Sequence, residues 1–235
     1  MWVFPLLAAG VAFAFAGMLI RRFALGGKLF QGVWAVALAM YAAASFAMFL
    51  GVLDGWSTAE FRVYWLLGAI LNVPFLALGE IYLLARRRIV GDVLLLVLLF
   101  LTAFATSKVR TATLLPHFPL SEELPLGKDV FGDGTLPYRL AQYYAYPAYF
   151  LLLGGCFWSA WRMRERPELR DRFVGTLWIA VGATIVAAGS GVGAGLGVVP
   201  LFSASLAVGI AAMFWGFLRA SRRSGTPPAP EPGRP

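Results

Sequence analysis

Residues 173–218 read FVGTLWIAVGATIVAAGSGVGAGLGVVPLFSASLAVGIAAMFWGFL, a stretch of 46 residues without an Asp, Glu, Lys or Arg. As a single helix this stretch would be about 69 Å long, more than twice the bilayer hydrocarbon thickness of about 30 Å. The glycine-rich run 191–197, followed by Pro200, marks a break inside it. The stretch therefore predicts two membrane-spanning helices, 173–194 and 198–218.

The whole chain shares this apolar character. Of its 235 residues, 60% are hydrophobic and 14% are charged, and the mean hydropathy is +0.74. Soluble domains contain about 45–50% apolar and about 25% charged residues, so a soluble globule and a disordered chain are both excluded. The single Cys156 excludes an internal disulfide framework, and the single His117 excludes a bis-histidine haem. We predict no metal and no other cofactor.

Seven segments are long and apolar enough to cross a bilayer as helices, which takes about 20 residues. They are 2–20, 29–53, 63–85, 89–107, 140–161, 173–194 and 198–218. Residues 1–223 are thus predicted to form an all-α bundle of seven transmembrane helices. The proline-containing outer loop 108–139 is predicted to form an ordered cap, and the proline-rich residues 224–235 a disordered cytoplasmic tail.

The distribution of basic residues predicts the orientation of the bundle. With the N-terminus outside and the C-terminus inside, 15 of the 20 Lys and Arg residues face the cytoplasm, as the positive-inside rule requires. Arg21 and Arg22 directly follow the first span and no basic residue precedes it, so it is not expected to be a cleaved signal peptide. We predict a multi-pass protein of the bacterial cytoplasmic membrane. The net charge of +8 is then a topology signal beside anionic lipids, not a sign of nucleic-acid binding.

The third span contains the polar residues that are most unusual inside a membrane. Glu80 lies about 9 Å along the helix from Arg86, and Tyr64 and Asn72 precede Glu80 at intervals of eight residues. Pro74 frees a backbone carbonyl near Asn72. Intramembrane acids usually face the bundle interior, which favours a proton, cation or ligand site. The alternatives are an interfacial Glu80 that is paired with an inner arginine or held protonated, and an Asn72 bonded to a neighbouring helix.

The fifth span begins with the aromatic sequence QYYAYP at 142–147, and Tyr149 follows. One interpretation is a ligand pocket that opens outward and is lined by Gln142 and Tyr146. The alternative is a belt of amphipathic rings at the membrane interface. In that alternative the belt also includes Trp2, Trp56 and Trp65. The predicted ligand or ion contacts are Glu80, Asn72, Tyr64, Gln142 and Tyr146, and no catalytic residue is predicted.

A stripe of small residues recurs every four positions along the sixth span, at Ala183, Ala187, Gly191 and Gly195. Such a stripe predicts close packing against another helix. The glycine run 189–195 lacks the Lys-Ser/Thr ending of a phosphate-binding loop, so that function is excluded.

Four segments resemble a family of actinobacterial integral membrane proteins of uncharacterised activity. These are LPLGKDVFG at 124–132, LPYRLA at 136–141, LWIAVG at 177–182 and WGFL at 215–218. The resemblance covers about the last half of the chain and implies no particular activity, so no site residue follows from it. Microbial rhodopsins have the same helix number and orientation, but the seventh span has no lysine to bind retinal, which excludes a retinal protein.

Two functions fit these features best, and a membrane enzyme is third because the sequence has no acid–base–nucleophile set. The first is a non-enzymatic membrane module that binds a lipid or small amphiphile for sensing or assembly, with a cytoplasmic protein partner at the basic loop 162–172. The alternative is a small-solute or proton-coupled transporter that uses Glu80 and Asn72. Membrane lipids are the predicted partners in both, and the oligomeric state is left open.

Overall fold

The computed structural model of the chain describes residues 2–115, 125–193 and 199–221. All regular elements in these residues are helical, which confirms the predicted all-α class. The helices are α1 (Val3–Ala24), α2 (Leu29–Asp54), α3 (Thr58–Leu84), α4 (Arg88–Thr111), a short α5 (Gly127–Phe131), α6 (Leu136–Met163), α7 (Arg170–Ala188) and α8 (Val199–Ala220). A 3₁₀ turn, Pro167–Leu169, precedes α7, and a π-helical turn, Gly189–Gly193, extends it. The apolar stretch 173–218 is therefore divided between two helices, as predicted.

Six of these helices, α1 to α4 together with α7 and α8, are long and apolar enough to cross a membrane. The chain is therefore a multi-pass membrane protein. Helix α6 has 28 residues, about 42 Å, but it is less apolar than the other six long helices. Its first half contains five tyrosines and Gln142, which lower its hydropathy.

Six of the long helices form a closed ring in the described part of the chain. Helix α1 packs on α2, α2 on α3, α3 on α6, α6 on α7, α7 on α8, and α8 returns to α1. Helix α4 packs outside this ring, on α3 and α6, and most of its apolar side chains are exposed. The ring leaves a space at its centre.

The two ends of the ring differ in charge and in covering. At one end, the basic end, lie 21–28, 86–88, 162–172 and Arg219. Arg22 donates a hydrogen bond to Ser221 there (3.3 Å), which ties the end of α1 to the end of α8. At the other end, the capped end, α3 begins beside α5 and the start of α6.

The capped end is an ordered aromatic cluster. Phe61 and Trp65 stack with their ring centroids 6.0 Å apart, and Phe131 of α5 lies 5.9 Å from Trp65. The Trp65 indole donates a hydrogen bond to the Pro137 carbonyl (3.0 Å). Two of the three tryptophans assigned to an interfacial belt, Trp56 and Trp65, are therefore buried in the protein. That interpretation is wrong for them, because Trp65 packs under residues 125–139 and Trp56 packs against Phe61 and Tyr64.

Hydrogen bonds to main-chain carbonyls hold the cap in place. Arg62 donates to the carbonyl of Arg110 (2.6 Å) and to that of Ala112 (3.0 Å), and the Leu115 amide donates to the Val130 carbonyl (2.9 Å). The remaining residues of the predicted cap, 116–124, and the predicted tail lie outside the described residues.

Close packing of α7 and α8 depends on glycines other than the predicted stripe. A Cβ at Gly182 would lie 2.5 Å from the Gly209 carbonyl oxygen, and a Cβ at Gly216 would lie 2.5 Å from the Gly175 carbonyl oxygen. No side chain fits at such distances, so glycine permits the contact between the two backbones.

Among the described residues of the predicted stripe, Ala183 is the one that is buried in the packed core. Ala187 and Gly191 line the central space, and no atom of the described residues lies within 4 Å of where a Gly191 Cβ would be. Gly195 lies outside the described residues. The reason for the difference is that seven-residue spacing, as in Gly175 and Gly182, follows the α8 contact more closely than four-residue spacing does.

Candidate ligand-binding cavity

The central space is a cavity of about 640 Å³ near the capped end of the ring. Its walls come from α2, α3, α6, α7 and α8, and the segment 125–128 lies across its end. Most of the lining side chains are apolar or aromatic, with a few polar groups among them. Small-molecule sites typically combine these features and occupy about 300–1,000 Å³.

The α3 wall contains an irregular turn. Residues Tyr64–Leu71 form a π-helix, and Tyr64, Gly68 and Asn72 all line the cavity. A π-helical turn holds more residues than an α-helical turn, so it changes the rotation between side chains that lie before and after it. Pro74 follows within one turn, and its missing N–H prevents the regular hydrogen-bond ladder from continuing through this region.

Two buried polar side chains on the cavity wall have no described partner. Ser45 of α2 is 4% exposed and Asn72 is 5% exposed, and neither side chain forms a hydrogen bond with another described residue. By contrast, the Tyr41 hydroxyl, one turn before Ser45, donates to the Leu206 carbonyl of α8 (2.9 Å). Buried polar groups normally have partners, so Ser45 and Asn72 are available to a bound molecule or to water.

One face of α6 forms the longest wall. The cavity is lined along this face by Tyr138, Gln142, Tyr146, Tyr149 and Phe150. From Tyr138 to Tyr149 these residues follow one another at intervals of three or four. The interval from Tyr138 to Phe150 corresponds to about 18 Å of helix. The cavity is therefore elongated along α6.

The cavity has a side opening between α6 and α7. Tyr146 and Phe150 both line the cavity, yet they are 59% and 69% exposed. Thr184 and Ala188 of α7 are likewise exposed lining residues. The Tyr149 hydroxyl donates to the Thr184 hydroxyl oxygen across this gap (3.2 Å). We refer to Tyr146, Phe150, Thr184 and Ala188 as the side opening.

The structure brings four of the five predicted contacts together on this cavity: Tyr64, Asn72, Gln142 and Tyr146. Glu80 is not among the lining residues, and it lies about 12 Å along α3 from Asn72. It is 4% exposed and packs against α6, where a Cβ at Gly155 would be 2.9 Å from its Oε1. It forms no ion pair with Arg86 or with any other described residue.

Sequence reasoning did not identify the lining residues on α2, α5 and α7. Tyr41 and Ser45 could have been found, because they are polar residues one helical turn apart in an apolar span. Lys128 and Thr184 gave no such signal, because their position depends on how the cap and α7 pack. The described residues contain no group of three or more His, Cys, Asp and Glu side chains placed to hold a metal ion.

The fold and this site define a multi-pass membrane protein with an internal cavity that opens to the side. No protein-family model, curated protein or solved structure matches the chain. The resemblance to actinobacterial integral membrane proteins stays a prediction.

Proposed function

We propose that this chain is a seven-crossing protein of the bacterial cytoplasmic membrane that binds a lipid or small amphiphile in its central cavity. Its role is sensing or assembly, not catalysis. The observation that carries the proposal is the apolar cavity with its side opening between α6 and α7. An opening on the flank of a membrane bundle faces hydrocarbon, so a molecule with an acyl chain reaches the cavity without leaving the bilayer.

Two observations support the seventh crossing. Helix α6 is long enough to cross and lies in the ring between α3 and α7, both apolar enough to cross. The ring also brings most of the basic residues to the basic end. The positive-inside rule favours a cytoplasmic location for that end, with the N-terminus and the capped end outside.

The proposal is tested by native mass spectrometry of protein released gently from the membrane. We expect a retained amphiphile on the wild-type chain and its loss from Ala187→Phe, which adds a ring to the cavity wall. The matched control is Val181→Phe on the exposed face of the same helix, which should keep the adduct. A wild-type chain without any retained amphiphile, or equal retention in the two variants, would contradict the proposal.

A second candidate function is proton-coupled transport that uses Glu80 and Asn72. The observation that favours it is the nearly complete burial of Glu80, because a carboxyl group inside a membrane bundle is costly and is often part of an ion path. In proteoliposomes, Glu80→Gln should abolish solute-dependent proton flux. Glu165→Gln, at an exposed carboxylate of the basic end, should leave it intact. Absence of flux in the wild type would remove this candidate.

We also propose that the segment 162–172 contacts a protein partner. Most of its residues are exposed, and five of them are arginines. Glu165 pairs with Arg164 and Asp171 pairs with Arg219, and the ion pairs between described residues include neither Arg166 nor Arg170. Photo-crosslinking from position 166 should recover one specific acidic partner, and the yield should fall when Arg170→Glu is added to the chain that carries the crosslinker. Nonspecific crosslinks unaffected by that change would reject the proposal.

A further inference from the structure

We infer that the bound amphiphile is anionic, with a carboxylate or phosphate head at Lys128 and an acyl chain that lies along α6. This inference rests on the proposed function. It adds the chemical class of the ligand and the direction in which the ligand lies.

Lys128 is the charged member of the described cavity lining, and the other lining residues are neutral. No described carboxylate forms an ion pair with it, including Asp129, the next residue in the chain. Lys128 is an exposed residue, so an anion can approach it without a desolvation cost as large as that of a buried pair.

The backbone that carries Lys128 is held in place. Gly127 lies against the Trp65 ring so closely that a Cβ there would overlap the ring. Val130 and Phe131 are buried on the following turn, and the Val130 carbonyl accepts the Leu115 amide (2.9 Å). The positive charge is therefore positioned at the cavity end and does not belong to an unanchored surface loop.

The direction of the cavity matches the two parts of an amphiphile. Lys128 lies at the capped end, where a membrane protein meets headgroups and water. From there the α6 wall runs for about 18 Å toward the bundle middle and passes the side opening at Tyr146 and Phe150. A polar head at Lys128 thus lies at the depth of the lipid headgroups, and an acyl chain at the side opening lies at the depth of the hydrocarbon.

The test uses three brominated long-chain probes of one chain length: the fatty acid, the alkyl phosphate and the alcohol. Wild-type protein in neutral-lipid nanodiscs receives them in equal amounts at low ionic strength. Native mass spectrometry then identifies each retained probe by its bromine isotope pattern. We expect retention of an anion relative to the alcohol to be about two- to fivefold higher in the wild type than in Lys128→Gln.

The matched control is Lys108→Gln. Lys108 is at the end of α4, at the same end of the bundle, but it does not line the cavity. This variant should keep the wild-type ratio of retained anion to retained alcohol. The probes partition into the bilayer to different extents, but this difference is the same for every variant and cancels when the ratios are compared. High salt should reduce the wild-type preference by screening.

The outcomes separate this inference from the proposed function. Preference for either anion that is lost in Lys128→Gln supports the inference, and the preferred anion identifies the head. Equal retention of anions and alcohol, or a preference that survives in Lys128→Gln, overturns the inference but leaves the proposed function. Retention of none of the probes overturns both.

Discussion

Gly155 is the residue that allows Glu80 to fit inside the bundle. A Cβ at Gly155 would lie 2.5 Å from Cγ of Glu80 and 3.1 Å from Cδ1 of Leu84. The neighbouring Gly154 is exposed, and no atom of the described part of the chain lies within 4 Å of its Cβ position. The two glycines therefore form a natural pair for comparing the same substitution in a tight and in an open environment.

We predict that Gly155→Ala lowers the free energy of unfolding, because overpacking costs about 1–3 kcal/mol. Gly154→Ala should be neutral or stabilising, because alanine favours a helix by about 1 kcal/mol over glycine. Thermal unfolding in one detergent, followed by circular dichroism, measures the difference. If both variants unfold at the same temperature, Glu80 is not packed against Gly155 of α6.

At the scale of helices, the contact between α7 and α8 depends on glycines at seven-residue spacing. We predict that Gly182→Ala destabilises the protein by about 1–3 kcal/mol, because the added methyl group would meet the Gly209 carbonyl oxygen and Met213. Gly191→Ala adds the same methyl group to open space on the cavity wall and should be tolerated. Urea or heat unfolding in matched detergent micelles compares them, and a larger loss in Gly191→Ala would refute this interface.

Helix α3 shows how an element can depart from its sequence pattern. In a regular α-helix, each step of eight residues turns the side chain by about 80° around the helix axis. Tyr64, Asn72 and Glu80 would then form a polar stripe that winds around the helix. The π-helix at Tyr64–Leu71 changes the rotation between the first two, so both line the cavity while Glu80 does not. Pro74 indicated an irregular turn, but nothing in the sequence specified its type.

At the scale of the whole molecule, the crossing by α6 determines the topology. Asp133 precedes α6 and Glu168 follows it, and both residues are exposed. In a Cys156→Ala background, we predict that an impermeant thiol reagent labels Asp133→Cys in intact cells but labels Glu168→Cys only after the cells are opened. Equal labelling of both cysteines in intact cells would mean that α6 does not cross.

The sequence by itself determined the membrane class, the all-α architecture and the positions of the long helices. Apolar segment length and charge are local properties, and a bilayer makes a helix the solution for such a segment. The sequence also identified Tyr64, Asn72, Gln142 and Tyr146 as candidates, because polar groups in apolar spans need an explanation.

Only the tertiary structure decided which residues share the cavity. The ring order brought α2 and α7 to the same cavity as α6, the cap brought Lys128 to the cavity end, and the glycine contacts of α7 turned Ala187 toward the cavity. Two of the predicted belt tryptophans became part of the buried aromatic cluster for the same reason. Each of these outcomes depends on contacts between residues far apart in the chain, and local pattern carries no information about which distant helix a face will meet.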